Sequence, residues 1–114
     1  MGESLTQEHR GLSMERWAQM PLVEQMANVG SEIERAIRWR AKKNEAYANK
    51  ASERALELFD LTLASSKYLP RLREVARARE AWVEYFFGSN AFRSNEHEWT
   101  SYFSQFAYAA RRNA

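Results

Sequence analysis

Few side chains in this chain can do chemistry, and they are sparsely placed. There is no cysteine and there are two histidines, His9 and His97, so thiolate nucleophiles, disulfides and zinc–thiolate sites are excluded together. His97 stands inside Glu96-His97-Glu98. Consecutive side chains on a helix diverge by about 100°, so this triplet is not a chelating set. A di-iron carboxylate bundle needs Glu-x-x-His pairs on one helix face, and the sequence contains none. Serine elbows, phosphate-cradling glycine loops and dinucleotide fingerprints are also missing. The expectation is a non-enzymatic protein with no metal, no cofactor and no small-molecule substrate. The weak catalytic alternative is the pair Arg93 and His97, in which Arg93 would hold a phosphate and His97 would move a proton.

Charge offers binding chemistry instead. Seventeen Lys and Arg against fifteen Asp and Glu leave a net charge of +2, far below that of a nucleic-acid-binding arm, so only local clustering matters. Lys67, Arg71, Arg73, Arg111 and Arg112 form the candidate anion-binding or nucleic-acid-binding group. Arg38, Arg40, Lys42 and Lys43 are expected to face Glu80, Glu84, Glu96 and Glu98 and to be largely compensated. The competing reading of the first group is a set of solvated charges at a bundle end. Arg79 lies on an apolar row and Glu34 beside one. Arg79 is expected to reach a carboxylate of the first or second helix, Glu34 first, in a partly buried ion pair, or else to lay its stem on the core with its head in water.

These groups need elements to hold them, and the periodicity is helical throughout. Leu22, Met26, Val29, Ile33, Ile37 and Ala41 recur every three or four residues behind Pro21, which predicts a helix over 21–42. Gly30 on its flank is expected to allow close approach of a neighbouring helix, or else to be a plainly tolerated glycine. Tyr47, Ala51, Ala55, Leu58, Phe59 and Leu63 predict a second helix over 45–64, joined by a tight turn at Lys43-Asn44; one continuous helix would be roughly 60 Å long. After an interruption at 65–70, Leu72, Val75, Ala76, Val83 and Phe86 predict a third helix over 71–87, with Gly88 as its C′ glycine. Asn95 and Glu98 have capping-box spacing and open a fourth over 95–112, with Trp99, Tyr102, Phe103, Phe106 and Ala110 inward. A short extra turn at 14–19 brings Trp17 to the bundle. The fold class is therefore all-α, an antiparallel up-down-up-down four-helix bundle with a short N-terminal helical turn. Residues 1–12 are expected to be a flexible segment and 13–114 a single domain. This topology puts the start of the third helix and the end of the fourth at one pole, where the candidate anion-binding residues meet.

Fifteen aromatics, 13% of the chain, exceed what one helix face can take. Trp82, Tyr85 and Phe87 of the third helix and Tyr102 and Tyr108 of the fourth are the candidate interface residues, unless a core closed by the N-terminal segment absorbs them all. The leading expectation is an interaction module that is a homo-oligomer or binds a protein partner. RNA or DNA binding through the basic pole is the alternative. No stretch reaches the ~18 apolar residues of a membrane span, and the polar N-terminus lacks a signal-peptide core, which leads to an expected cytoplasmic location.

The stretch 25–90, with Glu53-Arg-Ala-Leu-Glu-Leu-Phe-Asp-Leu-Thr62 and Arg77-Ala-Arg-Glu-Ala-Trp-Val-Glu-Tyr-Phe86, resembles small bacterial helical proteins without an assigned function, and the likeness extends over Tyr102 to Arg111. It implies a fold rather than an activity. In size, helix order and basic character the chain is also similar to 23S-rRNA-intervening-sequence proteins and retroelement accessory proteins, which implies oligomers and, for the accessory proteins, nucleic-acid binding. It resembles the HEPN group as well, whose RNases carry an Arg, four to six residues and a His. Three residues separate Arg93 from His97 here, which changes their relative facing.

Overall fold

The computed structural model describes residues 14–65 and 69–112. Five helices follow one another: α1 (Met14–Gln19), α2 (Leu22–Ala41), α3 (Glu45–Ser65), α4 (Leu69–Phe86) and α5 (Glu96–Arg112). No strand occurs among the described residues. The N-terminal segment 1–12 and the candidate Lys67 lie outside them.

Local chemistry sets the ends of these helices. Pro21 precedes α2 in extended backbone, and its carbonyl accepts from Glu24 and Gln25. At the other end Lys43 adopts φ 61°, Lys43 N–H donates to Arg40 and Asn44 N–H to Trp39. That bonding pattern is a Schellman turn with lysine in the left-handed position glycine usually takes. Asn44 then caps α3, its Oδ1 accepting from Tyr47 N–H at 3.1 Å. α4 begins at Leu69, earlier than expected, because Pro70 is tolerated in a first helical turn. At α5 the box closes in both directions: Glu98 N–H donates to Asn95 Oδ1 and Asn95 N–H to Glu98 Oε1, at 2.8 and 3.2 Å.

The four long helices run up-down-up-down. α2 is central, packed on α3 and α5, while α4 lies against α3 and α1 crosses onto α3. The core is Met26, Val29, Ile33 and Ala36 of α2, Ala48, Ala51, Ala55, Leu58 and Phe59 of α3, Val75, Trp82 and Phe86 of α4, Trp99 and Phe103 of α5, and Trp17. Gly30 is where α2 and α5 touch most closely. A Cβ added there would stand 2.8 Å from Phe103 Cβ, so glycine is needed for the approach.

Two buried indoles are fixed by hydroxyls. Trp17 Nε1 donates to Thr62 Oγ1 at 3.0 Å, and Trp82 Nε1 to Ser52 Oγ at 2.8 Å. Gln25 adds a third tie, donating to the Trp17 carbonyl at 2.6 Å. Several expected inward positions face elsewhere. Trp82 rather than Val83 fills the centre of α4, Ala41 and Ala76 are exposed, and Tyr47 is 52% exposed. The helical period was right while the phase of these rows was set by where the largest rings fit.

Candidate functional site

The aromatic-rich face of α4 and α5 folds mostly onto itself. Trp82 stacks on Phe86 and meets Trp99 edge-on, with centroids 5.2 and 5.3 Å apart, and Trp99 stacks on Phe103 at 6.2 Å. Trp82 is fully buried, so it cannot be an interface residue as expected from sequence. Tyr85 and Tyr102 are half-buried, and only Phe87 and Tyr108 of the five candidates are exposed. Burial raises the Tyr85 phenol, with Glu96 adding to the shift and Arg40 opposing it. Tyr102 is raised further, first by burial and then by Glu74, to which its hydroxyl donates at 3.1 Å.

The expected basic pole is thinner than its residue list. Arg71 reaches Glu74 at 3.2 Å, and Arg112 lies over the Tyr108 ring at 5.7 Å, leaving Arg73 and Arg111 as exposed charges. Arg79 pairs with a carboxylate of the second predicted helix, one of the expected alternatives, but not with the first choice, Glu34. Arg79 grips Asp60 of α3 instead, with contacts of 2.8 and 3.4 Å, and Glu34 pairs with Arg38 one turn on at 3.9 Å. Helix phase explains this: Asp60 and Arg79 face each other across α3 and α4, whereas Glu34 points to the solvent side of α2.

The opposite pole also departs from expectation. Two of its four acids, Glu84 and Glu98, are engaged in shaping the chain. Glu84 ties the loop after α4, accepting from Ala91 N–H, Ser89 Oγ and Ser89 N–H at 3.0, 2.9 and 3.0 Å. These bonds, that from Ala91 foremost, hold its carboxyl below the usual range. A Cβ on Gly88 would come within 2.8 Å of Glu84 Oε1. Close packing, not a left-handed backbone, therefore explains that glycine; the left-handed residues of this loop are Asn90 and Arg93. Arg40 turns inward, its guanidinium 3.9 Å from the Phe86 ring centre and donating to the Phe86 carbonyl. Arg93 is an exposed loop residue and His97 an exposed residue in the first turn of α5, with no hydrogen bond joining them.

What remains at this pole is a groove the sequence reading missed. A cavity of about 280 Å³ opens between α2 and α3, lined by Arg35 and Trp39 on one side and Tyr47, Lys50 and Arg54 on the other. No acid lines it. The two rings meet edge-on, with centroids 4.7 Å apart and planes at 88°. Lys42 sits 5.4 Å from the Trp39 ring, with Lys43 beside it at the turn. Helical spacing places Arg35 one turn before Trp39, and Lys50 one turn after Tyr47. That spacing was visible in the sequence. Their convergence across two helices needed the tight turn and the outward phase of Tyr47.

A second groove, of about 420 Å³, lies between α4 and α5, with Ala78, Trp99 and Tyr102 as its apolar lining and Glu74, Arg77, Ser94 and Glu98 around them. Among the described residues no group of acids and histidines is arranged to hold a metal ion, and no helix is long and apolar enough to cross a membrane. No family model, no curated protein and no solved structure matches the chain.

Proposed function

We propose that this chain is a non-enzymatic binding module that holds nucleic acid in the groove between α2 and α3. The observation carrying this reading is the lining of that groove: three cations and two aromatic rings, with no carboxylate among them. Phosphates supply affinity through cations, and sequence-tolerant nucleic-acid sites combine such cations with aromatic platforms. The reading takes up RNA or DNA binding, the alternative offered by the sequence, and moves the site from the pole of Arg71, Arg73, Arg111 and Arg112 to the opposite end of the molecule.

The test is fluorescence anisotropy with a labelled 12-nucleotide oligouridine at rising salt. Arg35, Lys42, Lys43 and Lys50 are four cations with no ion pair to a described residue, while Arg54 has a partner within the protein. Four phosphates neutralised on a single strand give a slope of about −3 in log affinity against log salt, which is roughly a fifty-fold loss between 50 and 200 mM. Arg35→Gln with Lys50→Gln should weaken binding and flatten that slope, whereas Arg73→Gln with Arg111→Gln should not. Loss confined to the Arg73 and Arg111 double variant would return the site to the sequence-expected pole, and equal loss in both would overturn the reading.

A protein partner or a second copy is the other reading, and the apolar lining of the groove between α4 and α5 favours it. Solution mass by light scattering tests it: a defined oligomer supports a self-interface, and a monomer removes it.

A further inference from the structure

We infer that the groove between α2 and α3 takes a single-stranded segment and stacks one of its bases in the corner between Trp39 and Tyr47. This rests on the nucleic-acid reading above and adds to it a choice between single strand and duplex. The two rings stand at 88° with centroids 4.7 Å apart, so they form a corner rather than a closed stack. A flat base can lie against one ring and present its edge to the other, the two geometries aromatic pairs favour. In a duplex the base faces are covered by their neighbours, so this corner is useless to it and only the cations contribute.

The corner is also pre-formed. Trp39 carries the carbonyl that accepts Asn44 N–H in the turn, and Tyr47 N–H is held by the Asn44 side chain. Both rings are thus anchored to one three-residue connection, and ordering them on binding costs little. The cations are spaced to follow a backbone through this corner. Arg35 to Lys42 is roughly 10 Å along the helix axis, so the two cations reach different phosphates of one strand. The stacked base therefore has a cation before it at Arg35 and cations beyond it at Lys42 and Lys43, with Lys50 on the opposite wall. Every base has a π-face, so this arrangement selects strandedness and not sequence.

The experiment compares three labelled probes of equal phosphate number: oligouridine, oligothymidine and a blunt RNA hairpin duplex. Both single strands should bind at least five-fold tighter than the duplex. Tyr47→Leu, at an exposed position, and Trp39→Leu should each weaken single-strand binding by about 5- to 150-fold, the range for losing one stacked base, and change duplex affinity by less than two-fold. Thermal melts monitor folding, and Tyr47→Leu carries the test if Trp39→Leu unfolds. Preference for oligouridine over oligothymidine, or the reverse, identifies RNA or DNA as the source of the strand. Equal affinity for duplex and single strand with Tyr47→Leu silent would overturn the inference and leave phosphate binding standing. Failure of every probe to bind in a salt-sensitive way overturns the inference together with the reading beneath it.

Discussion

Replacing Thr62 by valine tests what docks α1 on the bundle. Thr62 is fully buried, accepts the Trp17 indole N–H at 3.0 Å and donates to the Leu58 carbonyl at 2.8 Å. Valine keeps the branch at Cβ and nearly the same shape, so no cavity forms. The loss is chemical: a buried N–H is left without an acceptor, which costs about 1–3 kcal/mol. Part of this is offset because a methyl suits the buried position better than a hydroxyl does. The expected loss is therefore about 1–2 kcal/mol, or about 4–8 °C in melting temperature for a domain near a hundred residues. Urea unfolding followed by circular dichroism and tryptophan emission measures it, and an unchanged m-value shows that stability alone moved. The double variant Trp17→Phe, Thr62→Val should cost less than the sum of the singles by about 1 kcal/mol, because no orphaned N–H remains. A Thr62→Val protein within about 0.3 kcal/mol of the parent would refute the argument, since the indole N–H would then be reaching water and α1 would not be pinned.

Three further outcomes follow from the same packing. Gly30→Ala places a methyl 2.8 Å from Phe103 Cβ; overpacking of about 1–3 kcal/mol against a helix-propensity gain of about 1 kcal/mol leaves a net loss of about 1 kcal/mol, and a stabilised variant in denaturant would contradict the close α2–α5 contact. The Glu84 carboxyl is depressed from 4.5, so its contribution is present above that pH and lost as pH falls through the lower folded value; the melting-temperature gap between parent and Glu84→Gln should shrink on acidification below 4.5, and a gap independent of pH would rule out the loop tie. The phenols of Tyr85 and Tyr102 are raised from 10.0, so their stabilisation holds below pH 10 and is lost as pH climbs through the folded values; in alkaline absorbance titration Tyr102→Phe should remove signal from the late part of the curve, and removal from the early part would show a solvated hydroxyl.

Much of the fold was legible in the sequence because it depends on local signals. The box at Asn95 and Glu98, the break at Lys43-Asn44, the short turn at 14–19 and the helical periods all act within a few residues. Facing was less legible, because a row such as Leu72, Val75, Ala76 and Val83 specifies an apolar side only to within one helical step. Trp82 illustrates the ambiguity. Its ring is the larger body, it finds Ser52 as an acceptor inside, and it rotates α4 to bury itself while Ala76 is left outside. The same rotation gave Arg79 to Asp60. Charge pairing across helices is the least readable level, since one residue of phase changes the partner. The acids expected to neutralise Lys42 and Lys43 had stronger local uses, Glu98 in its capping box and Glu84 on three donors of its loop.

The turn between α2 and α3 connects folding with the proposed site. Lysine at φ 61° carries a steric cost of roughly 1–2 kcal/mol that glycine would avoid. The same backbone conformation lets Asn44 satisfy the end of α2 and the start of α3 within three residues. It keeps Trp39 and Tyr47 in contact, and with lysine in place it sets a cation in the turn between their helices. The other three tryptophans, Trp17, Trp82 and Trp99, are drawn inward, each to a hydroxyl partner. Trp39, half-buried against the core, and the exposed Tyr47 stay in contact beside a turn that tolerates unfavourable geometry, with Arg35, Lys42, Lys43 and Lys50 around them. Packing alone gives no reason for this combination, whereas binding a strand of phosphates and bases accounts for the rings and the cations together.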